Sequence, residues 1–437
     1  MRFNRREFLK TGAGLTALSL GLTGQRLSAI APATPKKVLF IFQRGGWDGI
    51  NAVIPHGDLE YNTTNRPTLY VPEGNGYDLG NGFAVLHPRL EPLMEIFNSG
   101  TLALIHRVGY PDQSRSHFDS QHWWTNGDPL NRDNDTGIFN RVIDRCLDVS
   151  NNPFPAASLT SEVIDTDALA GPATVANFSD PRDFTFQGGA AKVAKILGNE
   201  PNPDGTGGSG LLGYYGGPQD APGKILRDRV YDAGLVMAST IDILGDVDPA
   251  TYVPENGAAY SAAGLSRTLR IAAQLFKETS VQILGVDMGG WDHHATQQPL
   301  FDGLAFELSL AMRAFYRDMQ SQWDDMVVIT LSEFGRTSIE NGSRGTDHAE
   351  ATVMMVGGGA VNGGVYNCDS TTWQNGDLFS TPNGRYLARR TDFRAVLGEV
   401  LEQQFCNSPR DLDFVFPGYS DLAQNMPNEF ASLGLFS

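Results

Sequence analysis

The sequence predicts an α/β fold: a mostly parallel central sheet with helices on both faces and an inserted cap of helices and loops. Residues 281–286 and 326–331 are continuous apolar runs, which are typical of strands buried on both faces of a parallel sheet. The amphipathic pattern of residues 300–323 lies between them, so strand, helix and strand form one crossover unit. With 41% hydrophobic and 19% charged residues, the 437-residue chain has enough apolar material for a large core.

The other predicted elements follow from short apolar runs and their flanking residues. Strands are expected where such a run ends at a turn signal, at residues 37–43, 102–108 and 351–356. A helix is predicted over residues 117–124, because Ser116 is a suitable N-cap, and a closing helix over 391–405.

Residues 150–260 are less regular, and we expect them to be an insertion in an α/β domain that spans residues 34–437. A Gly- and Pro-rich tract at 198–223 predicts a long loop. Helices are expected on either side of it, at 190–197 and 225–244. This segment is the predicted cap.

Residues 1–33 resemble a twin-arginine signal peptide. Arg5-Arg6 and Phe8-Leu9-Lys10 fit that pattern, and a weakly apolar stretch leads to a cleavage site after Ala33. The alternative is an uncleaved membrane anchor, but the apolar stretch is shorter than the roughly 20 residues that span a bilayer. The resemblance implies a periplasmic or secreted protein, the twin-arginine export machinery as a partner, and no stable membrane insertion.

Charge and cysteine content exclude several classes of protein. The formal net charge of −17 repels phosphate backbones and anionic lipids, so nucleic-acid binding is not expected. The three cysteines, Cys146, Cys368 and Cys406, are widely spaced and permit at most one disulfide. Their spacing indicates neither a disulfide framework nor a thiolate metal site.

Unusual polar residues cluster in four segments, three of which follow predicted strands. The carboxyl ends of parallel strands line one crevice, so distant residues can converge there. Carboxylates and imidazoles without thiolates suit one or two divalent metals, with Zn²⁺ or Mn²⁺ favoured and Mg²⁺ or Ca²⁺ as alternatives. The predicted ligands are Asp48, Asp292, His294, Glu333, Asp347 and His348.

Five ordered motifs resemble the domain-of-unknown-function 1501 family, whose members are exported bacterial relatives of the alkaline phosphatase and sulfatase superfamily. The motifs are Gly-Gly-Trp-Asp-Gly, Ser-His-Phe, Gly-Gly-Trp-Asp-x-His, Ser-Glu-Phe-Gly-Arg-Thr and Gly-Thr-Asp-His, within residues 38–405. The resemblance therefore implies an alkaline phosphatase-like fold.

The resemblance also implies roles for individual residues. Asp48 would bridge two metals, and Ser116 would be the nucleophile at a helix N-terminus. Asp292 with His294 would bind one metal, and the later ligands would fall on Glu333, Asp347 and His348. The predicted catalytic residues are Ser116, His117 and Arg336. The sequence departs from the superfamily where His293 and His294 directly follow Asp292, and where Ser332-Glu333-Phe334 replaces an Asp-His pair.

Several of these residues also have structural interpretations. Asp48 and Ser116 are both suitable helix caps, and Ser114 is a competing nucleophile. Arg44 and Arg336 suit an anionic substrate, but structural ion pairs use arginine equally well.

Three functions are compatible with this pattern. The first is a metal-dependent hydrolase that cleaves phosphate or sulfate esters of an anionic small molecule or polysaccharide through Ser116. The second is a non-catalytic exported protein that binds a polysaccharide or a protein partner in the same cleft. The third, disfavoured by export, is phosphoryl transfer of the phosphoglycerate-mutase type.

Overall fold

The computed structural model describes residues 35–149, 152–160, 167–184, 237 and 239–436. The predicted signal peptide and most of the predicted insertion lie outside these residues. The predicted helix at 190–197 and most of the one at 225–244 lie outside them too.

The described residues form one large mixed sheet and one small sheet. The strands are β1 (Lys37–Gln43), β2 (Val53–Ile54), β3 (Tyr77–Asp78), β4 (Val85–Leu86), β5 (Leu102–Gly109), β6 (Ala156–Ser158), β7 (Ala176–Asn177), β8 (Ile283–Met288), β9 (Met326–Leu331), β10 (Thr352–Gly357), β11 (Gly364–Tyr366) and β12 (Thr391–Asp392). The large sheet has the order β11-β5-β10-β9-β1-β8-β6-β7, with β12 paired to β5. The small sheet, β2-β4-β3, is antiparallel.

Helices pack on both faces of the large sheet. They are α1 (Gly49–Ala52), α2 (Met94–Asn98), α3 (His117–Asn126), α4 (Ile138–Cys146), α5 (Gly264–Glu278), α6 (Gln297–Asp318), α7 (Phe393–Gln404), α8 (Pro409–Val415) and α9 (Tyr419–Asn425). Short 3-10 helices cover Glu73–Asn75, Pro88–Leu93, Asp167–Leu169, Pro181–Asp183, Gln320–Asp325 and Asp377–Phe379. No helix in the described part of the chain is long and apolar enough to cross a membrane.

Strand β1 shows why both faces are covered. Its side chains alternate, so Leu39 and Ile41 join a core with α5 and α6, whereas Val38, Phe40 and Phe42 join a core with α4, α7 and α8. Each fully buried large apolar side chain stabilises the fold by about 1.5–3 kcal/mol. The predicted α/β fold with helices on both faces is confirmed.

Six of the eight strand pairs in the large sheet are parallel. The predicted bounds of β1 and β9 agree with the structure, and β8 begins two residues later than expected. Strands β8 and β9 both pair in parallel with β1, which lies between them, so the predicted crossover is present. The helical pattern at 300–323 divides into α6 and the 3-10 helix Gln320–Asp325.

Strand β10 runs antiparallel to both of its neighbours, β5 and β9. Its amino end therefore lies at the edge where β1, β8 and β9 have their carboxyl ends. Residues that precede β10, including Asp347 and His348, consequently reach the same edge as residues that follow the parallel strands.

The described chain contains one disulfide, between Cys146 at the end of α4 and Cys406 just after α7. It joins two helices on the same face of the sheet. Cys368 is a buried thiol. This pairing agrees with the limit of one disulfide that three cysteines impose.

Candidate metal centre

Loops from five parts of the chain meet at this edge of the sheet, and glycines permit their close approach. Gly45, after β1, has φ +122°, and a Cβ there would lie 2.5 Å from the backbone nitrogen of Asp292. A Cβ on Gly345 would lie 2.3 Å from the carbonyl carbon of His294. These glycines belong to the predicted motifs, and they are required because two backbones pass within contact distance.

Three side chains form a group with the geometry of a metal site. His117, Asp292 and His348 each offer one ligand atom, and these atoms all lie within 4.8 Å of one another. Asp292 Oδ2 is 3.3 Å from His117 Nε2, and Asp292 Oδ1 is 3.2 Å from His348 Nε2. The side chains are 26%, 46% and 20% exposed for His117, Asp292 and His348, so a cation from solvent can reach them.

Buried Glu333 orients His117. Its Oε1 lies 2.8 Å from His117 Nδ1, and it also accepts hydrogen bonds from Gly45 N and Gln121 Nε2, both at 2.8 Å. Burial raises the pKa of Glu333, but the hydrogen bonds from His117, Gln121 and Gly45 outweigh it, and the pKa is lowered. The hydrogen bond to Glu333 in turn raises the pKa of His117. A carboxylate that binds one imidazole nitrogen fixes the tautomer and makes the other nitrogen a better ligand.

The other nitrogen of His117 supports a cation at this point. When the ring is neutral and Nδ1 donates to Glu333, Nε2 is an acceptor, and it faces the carboxylate of Asp292. Nε2 is buried and makes no hydrogen bond to any described residue. In that neutral form the two acceptors, 3.3 Å apart, repel, and either a proton on Nε2 or a cation bound between them removes the repulsion.

His294 and Asp347 extend the group. His294 Nε2 lies 3.0 Å from Asp292 Oδ1 and 2.9 Å from His348 Nε2, while its Nδ1 lies 3.2 Å from Asp347 Oδ1. Asp292 is thus adjacent to all three imidazoles. The arrangement has enough nitrogen and oxygen donors for a second cation next to the first.

Arg336 lies beneath the group and is 1% exposed. Its Nη2 donates to Asp292 Oδ1 at 2.6 Å, and the guanidinium also donates to the carbonyl oxygens of Gly45, Gly46 and Thr346. Burial raises the pKa of Asp292, but Arg336, His348 and His117 outweigh it and lower the pKa to about 2. The guanidinium of Arg336 therefore holds Asp292 and three loop carbonyls in place, and its predicted catalytic role stays a prediction.

Asp48 lies outside the three-residue group. Its Oδ2 accepts hydrogen bonds from Arg66 Nη1 and Gln297 Nε2, both at 2.6 Å, and its Oδ1 caps α1 through the backbone nitrogen of Asn51. Both oxygens are engaged and the residue is buried. Asp48 thus caps α1 and pairs with Arg66, and its role as a metal ligand stays a prediction. Glu333 is likewise not one of the three residues of the group, which it contacts through His117.

Ser116 precedes α3, but its side chain does not cap that helix. The first amides of a helix have no acceptors within the helix, and they favour an anion nearby. Ser114 Oγ, by contrast, accepts a hydrogen bond from the backbone nitrogen of Ser116 at 3.1 Å. Of the two serines, Ser116 has the hydroxyl that local structure leaves unengaged within the described residues.

His117 was predicted as a catalytic residue and not among the metal ligands, and neither Gln121 nor Arg66 was among the predicted site residues. The spacing of His117 and Gln121, four residues apart on α3, places both on one face of the helix. That signal is detectable in the sequence. The partnership of Arg66 with Asp48 has no such signal, because the intervening loop is irregular.

Residues 247–378 match the model of a family described as a protein of unknown function, DUF1501. The match is narrower than the resemblance over residues 38–405, and it includes three of the five motifs. No curated protein matches the sequence.

Solved structures resemble the chain only loosely. The lipoteichoic acid synthase LtaP from Listeria monocytogenes is 8% identical with a TM-score of 0.33, over 76% of this chain and 67% of that one. The alkaline phosphatase from the Antarctic bacterium TAB5 is 12% identical with a TM-score of 0.32, over 78% and 97%. The phosphonate monoester hydrolase SpPMH from Silicibacter pomeroyi is 11% identical with a TM-score of 0.27, over 76% and 70%. These scores lie below 0.5, and no inference about chemistry is drawn from them.

Proposed function

We propose that this protein is an exported, metal-dependent hydrolase of phosphate or sulfate esters. The observation that carries the proposal is the convergence of His117, Asp292 and His348, with Glu333 holding His117 so that its Nε2 faces the group. Substrate hydrolysis needs such a centre to balance the charge that develops in the transition state.

The donor set fits a divalent metal. Imidazole nitrogen and carboxylate oxygen suit Zn²⁺ and Mn²⁺, and the buried His117 Nε2, which makes no hydrogen bond to any described residue, is placed to bind such an ion. His117, Asp292 and His348 would hold one ion, and His294 with Asp347 would hold a second beside Asp292. When bound, such ions lower the pKa of a nucleophile and stabilise negative charge on the substrate.

Ser116 is the proposed nucleophile. Its Oγ attacks phosphorus or sulfur and loses its proton, the ester oxygen leaves and takes up a proton, and water then cleaves the seryl ester. The second step regenerates Ser116 and releases phosphate or sulfate. The N-terminus of α3 stabilises the anion during both steps.

Export to the periplasm or beyond is part of the proposal. The twin-arginine pattern at residues 1–33 supports it, and so does the Cys146–Cys406 disulfide, because disulfides persist in oxidising compartments. The twin-arginine machinery would be the partner during export.

The test measures metal content by elemental mass spectrometry and turnover of 4-nitrophenyl phosphate and 4-nitrophenyl sulfate. Asp292→Ala and His348→Ala are compared with Asp421→Ala, which removes an exposed carboxylate far along the chain from the cluster. We expect about one to two ions per chain in the parent and in Asp421→Ala, and none in Asp292→Ala or His348→Ala.

The outcomes separate the candidate functions. Turnover that depends on the cluster supports the hydrolase. Stoichiometric metal without turnover of either ester favours the non-catalytic binding protein. No stoichiometric metal after remetallation contradicts the metal centre itself.

A further inference from the structure

A cavity of about 440 Å³ lies at the same edge of the sheet, where β6 and β8 end and α5 begins. Its volume is within the range of small-molecule sites. Asp287, Met288 and Gly289 at the end of β8 form one wall, and Glu307 on α6 contributes to another. It does not include any residue of the metal centre.

The polar groups of this cavity favour a ligand that donates hydrogen bonds. Asp287 Oδ1 is buried and has no hydrogen-bond partner among the described residues. Glu307 Oε1 accepts the backbone nitrogen of Leu265 at 2.7 Å, which leaves its second oxygen available to a ligand. The hydroxyls of Ser179 and Thr268 also line the cavity.

The lining contains one cationic side chain, Arg267. Its Nη2 donates at 2.8 Å to Oδ2 of Asp180, a residue outside the lining that also pairs with Arg182. Asp287 is itself paired with Arg44 through Oδ2. What distinguishes the cavity is therefore its free acceptor atoms within the described residues, Asp287 Oδ1 and the second oxygen of Glu307, which favour a ligand that donates hydrogen bonds. An anionic group would bind at the metal centre, and a neutral group rich in hydroxyls would suit the cavity.

The cavity and the metal centre are neighbours. Gly289 precedes Asp292 by three residues, so their Cα atoms are at most about 11 Å apart. Arg44 also links the two, because Nε lies 2.9 Å from Asp287 Oδ2 and Nη1 donates to Gln121 at 2.8 Å. Gln121 in turn donates to Glu333, which orients His117.

We infer that the cavity binds the sugar of a carbohydrate phosphate or sulfate ester, while the ester group lies at the metal centre. This inference rests on the proposed function for the ester group. The sugar hydroxyls donate to Asp287 and Glu307 and exchange hydrogen bonds with Ser179 and Thr268.

The test compares the binding of inorganic phosphate with that of the 6-phosphates of glucose, galactose, mannose and N-acetylglucosamine. Isothermal titration uses the metal-loaded protein and Ser179→Ala, Thr268→Val and the double variant. Thr251→Val is the matched control, since Thr251 is exposed and outside the cavity. Phosphoethanolamine tests the alternative that the carboxylates select an amine.

We expect at least one sugar phosphate to bind about tenfold more tightly than inorganic phosphate in the parent and in Thr251→Val. In the double variant this preference falls at least about threefold, and the affinity for inorganic phosphate is unchanged. A preference that survives in the double variant, no preference for any of the four sugars, or tighter binding of phosphoethanolamine overturns the inference.

A neutral probe separates this inference from the proposed function. The four methyl glycosides are titrated into Asp292→Ala, in which the metal centre is disabled. Saturable binding that the combined Ser179→Ala and Thr268→Val changes weaken at least about threefold supports the cavity as a sugar site, even if the parent protein hydrolyses no ester. Turnover of simple esters, with no glycoside bound and no sugar phosphate preferred, keeps the proposed function and overturns the sugar site.

Discussion

The chain contains the tetrapeptide Gly-Gly-Trp-Asp twice, at residues 45–48 and 289–292, and the two copies follow adjacent parallel strands. Trp47 and Trp291 are both fully buried and pack edge to face with ring centroids 5.7 Å apart. The two aspartates nevertheless differ: Asp48 is 2% exposed, whereas the side chain of Asp292 is 46% exposed. Identical local sequence has produced two different environments.

The difference lies in the neighbours of each carboxylate. Asp48 is surrounded by N–H donors, from Arg66, Gln297 and Asn51, which use both of its oxygens. Asp292 has one guanidinium partner, Arg336, and is otherwise surrounded by imidazoles. Tertiary partners and not the motif therefore decide which copy is occupied by N–H donors and which lies exposed among imidazoles.

The largest expected effect is at Asp292. Asp292→Asn removes the charge that faces three imidazoles, so metal content and ester turnover should both fall to background. Elemental analysis and a turnover assay measure this, and circular dichroism checks that the fold is kept. Full metal content in Asp292→Asn would contradict the distinction drawn between Asp292 and Asp48.

Asp48→Ala should instead reduce stability. The substitution leaves Arg66 buried without its partner, so the free energy of unfolding should fall by about 3–5 kcal/mol. The metal content of the folded protein should be unchanged. Urea unfolding measures the change. If the variant is as stable as the parent but loses metal, Asp48 is a ligand, as the family resemblance implied.

Glu333→Gln tests the residue that orients His117. Removing such a hydrogen-bonding partner of a ligand typically weakens metal binding by about 10–100-fold. Competition with a chromogenic chelator measures the affinity. Glu340→Gln is the control. Glu340 lies on the same stretch of chain, but it accepts hydrogen bonds from Thr68 and not from a residue of the metal centre. Equal metal affinities in Glu333→Gln and Glu340→Gln would contradict the orienting role of Glu333.

His106 is a buried histidine outside the two Gly-Gly-Trp-Asp segments. Burial, assisted by the charge of Arg107, lowers its pKa from 6.5 to about 3. Below pH 6.5 the unfolded chain binds a proton that the folded chain does not, so stability falls as the pH falls towards 3. Between pH 7.5 and pH 5, the parent should lose about 2 kcal/mol more than His106→Gln. Equal acid dependence of urea unfolding would show that His106 titrates normally.

The sequence allowed most of the sheet to be predicted, because buried parallel strands are continuous apolar runs. Strands β1 and β9 have the predicted bounds, and the crossover between β8 and β9 is present. The antiparallel direction of β10 was not predictable, since it depends on pairing with β5 and β9 and not on local composition.

The candidate site was predicted less completely. Strand-end loops were correctly expected to meet, and Asp292, His294, Asp347 and His348 lie close together. The environments of Asp48 and Glu333 could not be predicted, because their partners come from distant segments. Arg66 and Gln297 reach Asp48 from a loop and a helix start whose positions no local pattern specifies.

The reversed direction of β10 has a consequence for how the centre assembles. His117 and Glu333, which are 216 residues apart, meet only when β5, β9 and β10 have paired, and His348 arrives with β10 itself. Contacts so distant in sequence form slowly, because long loops must close first. An ion bound here would therefore be retained only by a chain that has finished folding, and its release would report the first opening of the sheet.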